Sequence, residues 1–293
     1  MVSLAALKYS DVLAEHGGPI ERVDTGELSV LGETHSLANA YLREELSVGK
    51  QAAAIFGEAD GTGVATSIGA SNYMAISEAL QRWAFLAVQD DAAASTYGFD
   101  VDRSSNGMAA FPGLFRRQAQ VFARGDAVAR HTLVSWWDGR LPAERTTSPF
   151  PGVEAVRIHH SAGPGEVVIV FRRTRAGYAY GHAYGGNLQQ ALRKAVVVLA
   201  RAEHVLTAHR AKGALAAPAN FLERRALFFA SEEGAELFGR RLLTHQSKPA
   251  RAFLPFFDGE IPGPWARWAT VWRCCVQLPT LDYLEPEADF FYW

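Results

Sequence analysis

The chain has 293 residues, 48% of them hydrophobic, enough to bury a full core in one large domain or two fused halves. Its 29 Lys and Arg balance 31 Asp and Glu, and no run of like charge marks a nucleic-acid or membrane-binding stripe. No apolar run reaches the roughly 18 residues of a membrane span. The stretch Met1 to Gly18 carries Lys8, Asp11, Glu15 and His16 and reads as a short amphipathic helix, not a signal peptide. The only cysteines, Cys274 and Cys275, are adjacent. Their Cα atoms, about 3.8 Å apart, are closer than the roughly 4.4–6.8 Å of ordinary disulfides. A reducing compartment follows, and the chain is expected to be soluble and cytoplasmic.

In chain order, β-rich or alternating stretches bounded by glycine predict strands at Gln51–Phe56, Val64–Ile68, Val153–His159, Val167–Arg172, Tyr178–Tyr184 and Thr270–Leu278. Three segments have helical periodicity. The first, Tyr73 to Val88, places Tyr73, Ile76, Leu80, Ala84 and Ala87 on one stripe, and the second runs from about Leu114 to Val134. The third, Leu188 to about Thr207, turns Leu188, Ala191, Leu192, Ala195, Leu199, Ala202 and Leu206 inward. Asn72 and Asn187 are placed to cap the first and third. Gly139–Gly152 and Ala211–Ala219 read as loops; a helix at Ser231–Leu243, a proline-rich connection at Pro249–Pro264 and a last strand complete the chain. Residues 50–90 and 165–210 share a strand–turn–strand–Asn–helix order, a weak internal repeat inside a single domain spanning 1–293. The fold class expected is α+β, antiparallel sheets with long helices packed on them.

Generic motifs carry little chemistry. Gly61-Thr62-Gly63 lacks both the Lys-Ser/Thr of a phosphate loop and the third glycine of a dinucleotide fingerprint, and reads as a turn. His159 and His160 are neighbours on a predicted strand and point to opposite faces, which makes a poor metal pair. Gly-x-Ser-x-Gly is absent. Trp136-Trp137 and the closing Phe290-Phe291-Tyr292-Trp293 read as core aromatics, the other reading being a peptide-contacting surface.

Four stretches together resemble the YcaO domain family. They are Gly61-Thr62-Gly63 with Ala70 to Trp83; Ser105-Asn106-Gly107-Met108-Ala109-Ala110, followed by Asp126-Ala127 and Trp136-Trp137; Gly181 to Glu203; and Arg273 to Leu281 with Pro279. They cover about two-thirds of the chain in the family's order. The resemblance implies a YcaO-like fold and, for active members, ATP-dependent activation of peptide-backbone amides in azoline or thioamide formation.

The departures matter as much. Against the family's Ser-x3-Glu-x2-Glu-Arg helix this chain has Met74, Glu78, Gln81 and Arg82, and its Gly-Lys-Gly turn has Thr62 for lysine. Against the second acidic helix it has Arg117 for Gln, Val121 for Glu, and Arg124-Gly125 for Glu-Arg. The closing Phe290-Phe291-Tyr292-Trp293 does not resemble the proline-rich tail of azoline-forming members. Magnesium wants several hard oxygens in near-octahedral geometry. Here Glu78 alone remains, while Arg117 and Arg124, seven apart and on one helical face, would repel the ion. Glu78, Arg82, Arg117 and Arg124 are thus the candidate remnant of a nucleotide or anion site, the plainer reading of Glu78 and Arg82 being a helical i,i+4 ion pair. The resemblance implies a degenerate, non-catalytic protein that binds a peptide or partner enzyme in a ribosomal-peptide natural-product (RiPP) pathway. No cofactor, metal, nucleic acid or membrane partner is expected; ATP with magnesium is the cofactor to test against, and a homo-oligomer is compatible. The alternative is an enzyme whose arginines cradle a phosphate or other anion in place of the metal.

Overall fold

The computed structural model describes residues 4–112, 116–175, 177–211, 217–286 and 289–291. The start of the second helix at Leu114, part of the expected Ala211–Ala219 loop, and Tyr292 and Trp293 lie outside them. The fold is α+β, with three antiparallel sheets and six α-helices among the described residues. The chain forms two compact units that interleave in sequence. The first takes the residues up to Gln51, Glu58–Ala127 and Leu254–Gln277; the second takes Ala52–Gly57, Val128–Phe253 and the residues from Leu278.

In the first unit, after the short helix α1 (Leu4–Lys8), a long hairpin of β1 (Ile20–Val30) and β2 (Glu33–Leu42) pairs with β3 (Gly61–Ala65). The hairpin turns through Leu31 and Gly32, both at positive φ, as the tightest hairpin turns require. Helix α2 (Ile68–Val88) packs on this sheet and also against a second one, built from β4 (Met108–Pro112), β10 (Ala269–Val276) and β9 (Pro255–Glu260). Its buried Ile76, Leu80, Trp83, Ala84 and Phe85 join Trp265, Trp268, Ala269 and Val271 in one core. Most of the predicted α2 stripe is buried, but Ala87 is exposed.

Two local expectations are corrected here. Gly61-Thr62-Gly63 is strand, not turn: a Cβ on Gly61 would sit 2.1 Å from the Ala75 carbonyl oxygen, and one on Gly63 2.0 Å from that of Ser71. The glycines let β3 lie directly on the helix backbone. The cap of α2 is Ser67, whose hydroxyl accepts from the Ala70 amide at 3.4 Å, while Asn72 lies inside the helix. The first turn, from Ile68, is largely exposed and carries no apolar stripe, so periodicity alone places the start too late.

In the second unit, β5 (Ala143–Thr146), β6 (Glu154–Ile158), β7 (Glu166–Thr174) and β8 (Gly177–Gly185) form a meander in chain order. Strand β5 lies within the expected Gly139–Gly152 loop, as β9 lies within the expected proline-rich connection. Helix α4 (Leu188–Ala211) packs on β7 and β8, capped by Asn187, which accepts from the Gln190 amide at 2.9 Å. Ala191, Leu192, Ala195, Leu199 and Leu206 are buried as the pattern predicts. Here too glycines permit close approach, for a Cβ on Gly181 would meet the Ala195 carbonyl oxygen at 2.2 Å. The other face of the meander carries Val156, Ile158, Ile169, Phe171 and Tyr180. They pack with Trp136 of α3 (Arg116–Trp137), Phe229 of α5 (Phe221–Phe229), Phe238 of α6 (Glu232–Leu243) and Phe291.

The expected strand at Gln51–Phe56 is not formed. The amides of Ala54, Ile55 and Phe56 donate instead to the Glu223 carboxylate, at 3.1, 2.7 and 3.2 Å, which removes the donors a ladder would need.

Candidate functional site

Glu78, on α2, reaches across to β3 and accepts from the Thr62 amide at 3.0 Å. Thr62 in turn donates from its hydroxyl to Asn39 on β2 at 3.2 Å. The expected Glu78–Arg82 ion pair is not formed: the carboxylate is engaged by backbone, and Arg82 has no ion pair or hydrogen bond among the described residues. A charge-assisted bond to an amide fixed in a strand outcompetes an exposed i,i+4 pair worth a few tenths of a kcal/mol.

Arg117 and Arg124 lie on α3, which packs over the β4-β10-β9 sheet on the face opposite α2. The alternation along β10 shows this. Val271 points into the α2 core, whereas Trp272 points to the other side, where its indole donates to Asp258 Oδ1 at 2.7 Å. Asp258 Oδ2 accepts from Arg124 Nε at 2.6 Å, and Arg124 makes a second contact through its Nη2. Asp258 holds the Arg124 guanidinium above its ordinary pKa. Two residues along β9, Glu260 holds Arg116 at 2.9 Å. Arg117 is exposed and without an ion pair or hydrogen bond among the described residues. No direct bond joins any two of Glu78, Arg82, Arg117 and Arg124. The structure gives each its own surroundings: a strand amide for Glu78, an acid for Arg124, and, among the described residues, no bonded partner for Arg82 or Arg117.

The turn before β4 is fixed from the same face. The Gly107 amide donates to Asp126 of α3 at 2.7 Å, and the Gly107 carbonyl accepts from the Cys274 amide at 2.7 Å. A Cβ on Gly107 would meet the Cys274 carbonyl oxygen at 2.2 Å, and its φ is +71°. Thus Gly107 and Asp126, both within the second stretch noted in the sequence, form one structural joint. Burial pushes the Cys274 thiol up to about 12, so it stays protonated and unreactive at neutral pH.

Three charged groups escape sequence reading. Asp258 lies in a stretch taken as an irregular connection. Arg273, fully buried, donates to the carbonyls of Tyr97 at 2.9 Å, Ser104 at 2.8 Å and Asp102 at 2.6 Å and lies over the Phe99 ring at 3.8 Å. It clamps the 97–104 segment to β10. Glu223, also fully buried, collects the three amides of the 54–56 strap and that of Ala219 at 2.8 Å. Burial alone would raise its pKa, but the four amide bonds outweigh that and hold it below the usual carboxylate value. An Asn220-x-x-Glu223 capping pattern is the one signal that could have pointed to it.

The aromatics resolve as core. Phe291 is 1% exposed and its ring lies within 5.9 Å, centroid to centroid, of Trp136, Trp137, Tyr180, Phe229 and Phe238. The described part of the closing aromatic run is therefore not a peptide-contacting surface. Among the described residues no group of three or more His, Cys, Asp or Glu side chains converges, and no helix is long and apolar enough to cross a membrane.

Two interleaved units of helices and antiparallel sheet, each with a sheet whose last strand uses glycine to seat a long helix, define a YcaO-like fold. YcaO from Methanopyrus kandleri, bound with AMPPCP and Mg2+, matches with a TM-score of 0.58 at 10% identity, over 94% of this chain and 89% of that one. A chain of the E. coli microcin synthetase McbBCD complex matches with a TM-score of 0.55 at 12% identity, and one from that complex with pro-MccB17 bound with 0.53 at 12%. Both cover 87% of this chain and 86% of the other. No protein-family model matches the chain, and no curated protein matches it in sequence.

Proposed function

We propose that this chain is a non-catalytic YcaO-like protein that binds a peptide or a partner enzyme in a RiPP-type pathway. The observation that carries the reading is the state of the positions where the family's resemblance calls for metal-binding acids. Glu78 is committed to the Thr62 amide, and Arg124 stands in a carboxylate's place with Asp258 as its counter-ion. Magnesium with ATP needs several convergent hard oxygens, and this donor set does not fit it. Asp258, the acid beside Arg124, has both its oxygens engaged, by Arg124 and by the Trp272 indole. The fold's likeness to microcin synthetase chains, one from a complex with pro-MccB17 bound, supports a setting of peptides and partner proteins. The commitment of Arg124 to Asp258 removes one of the three guanidiniums that an arginine cradle would use.

The test is ATP turnover by the purified protein with magnesium, alone and with candidate peptides. No phosphate release above a buffer control is expected; steady turnover that scales with protein concentration would sink the reading.

A further inference from the structure

We propose that the exposed face of α3 around Val121 and Phe122 docks a peptide segment carrying apolar side chains and a carboxylate. This rests on the peptide-binding reading above and gives it a surface and a ligand chemistry. Val121 is 56% exposed and Phe122 48% exposed, side by side on a helix whose exposed residues are otherwise mainly charged. Phe122 does not swing freely: its ring stacks on Phe111 of β4, centroids 5.8 Å apart and planes 14° from parallel. An aromatic already held in place loses little rotamer freedom on docking, which is what makes a rigid anchor effective.

Arg117 lies one helical turn before Val121 on the same stripe. It is exposed and carries no ion pair or hydrogen bond among the described residues, whereas its neighbours Arg116 and Arg124 are paired with Glu260 and Asp258. The face thus offers one uncommitted guanidinium beside an apolar platform, which suits a single carboxylate among apolar groups. A polyphosphate would call for several free cations. The Arg117 guanidinium, opposite in sign to a carboxylate and set beside the apolar platform, makes an acidic peptide the occupant that charge favours.

Fluorescence anisotropy with a fluorescein-labelled heptapeptide, Gly-Leu-Phe-Glu-Leu-Phe-Gly, and its counterpart with Gln for Glu tests this. The wild type should bind both, the glutamate peptide more tightly. Val121→Ser combined with Phe122→Ser should weaken both by about tenfold or more. Arg117→Ala should weaken only the glutamate peptide, by about threefold, and equalise the two. All three residues are exposed, so circular dichroism and melting temperature should not move. Peptide binding that survives the Val121/Phe122 change overturns the surface while leaving the peptide-binding reading intact. Absence of binding to either peptide overturns the ligand chemistry, and the ATP-turnover assay then decides the reading separately. A dimer, seen by light scattering, that the double substitution turns into a monomer overturns the proposal in favour of a second copy.

Discussion

Arg124 and Asp258 are locked together at the point where α3 crosses β9, the guanidinium Nε donating to the carboxylate at 2.6 Å while the Trp272 indole holds the other oxygen. The base lies on the helix and the acid on the strand. The arrangement keeps α3 fixed to its sheet by a direct bond between side chains.

Its energetic weight is modest on the helix side and larger on the strand side. Arg124 is half exposed, and Arg124→Ala should cost about 1 kcal/mol in urea unfolding. Asp258 is mostly buried, and Asp258→Ala should cost about 2 kcal/mol, because it also orphans the Trp272 N–H. The double variant should fall short of the sum by up to about 1 kcal/mol; strict additivity would mean that the pair is not coupled.

The Glu223 carboxylate holds four backbone amides in a buried setting. Glu223→Ala should lower stability by about 3 kcal/mol or more, since the strap amides lose their acceptor. Because the folded-state pKa lies below the ordinary value, the ionised group contributes its stability above the unfolded-state pKa. That contribution is lost as the pH falls through the folded-state value. Glu223→Gln should therefore be less stable than wild type at neutral pH, with the gap closing in acid. A gap that stays constant from neutral pH to pH 3 would rule out this linkage.

The two glycine-seated helices should respond alike. Gly61→Ala and Gly181→Ala each place a methyl about 2 Å from a helix carbonyl oxygen, and backbone must move to relieve it. Each should cost roughly 3 kcal/mol in thermal unfolding, more than the 1 kcal/mol gain an ordinary Gly→Ala change brings. Gly26→Ala, where nothing lies within 4 Å, serves as the control and should be near neutral.

Parts of this fold were legible from one sequence because their signals are local. Leu188 to Leu206 carries an uninterrupted apolar stripe behind Asn187, and the real helix follows it closely. Helix α2 was found but started late, since its first turn is exposed. The β1–β2 hairpin was missed because its burial pattern alternates weakly over a mostly exposed face and its Leu31-Gly32 turn lacks the usual Asn-Gly signal. Gly61-Thr62-Gly63 has turn chemistry locally but becomes strand because the helix packed on it, which meets Gly61 at Ala75 and Ala79, 14 and 18 residues downstream, leaves no room for side chains. At the candidate site the sequence singled out Glu78, Arg82, Arg117 and Arg124, yet no spacing rule pairs Arg124 with an aspartate 134 residues away. Arg273 is similar: its three carbonyl partners are contributed by a segment about 170 residues earlier, and only the fold brings them together.

The central claim is that the altered helix positions no longer support metal-dependent nucleotide binding. Isothermal titration of the purified protein with ATP, with and without magnesium, tests it most directly. The account predicts no magnesium-dependent binding, and the Arg124→Ala variant should behave the same way. Saturable ATP binding that appears only with magnesium would contradict it, for other acids would then be supplying the ligands that Glu78 cannot supply alone.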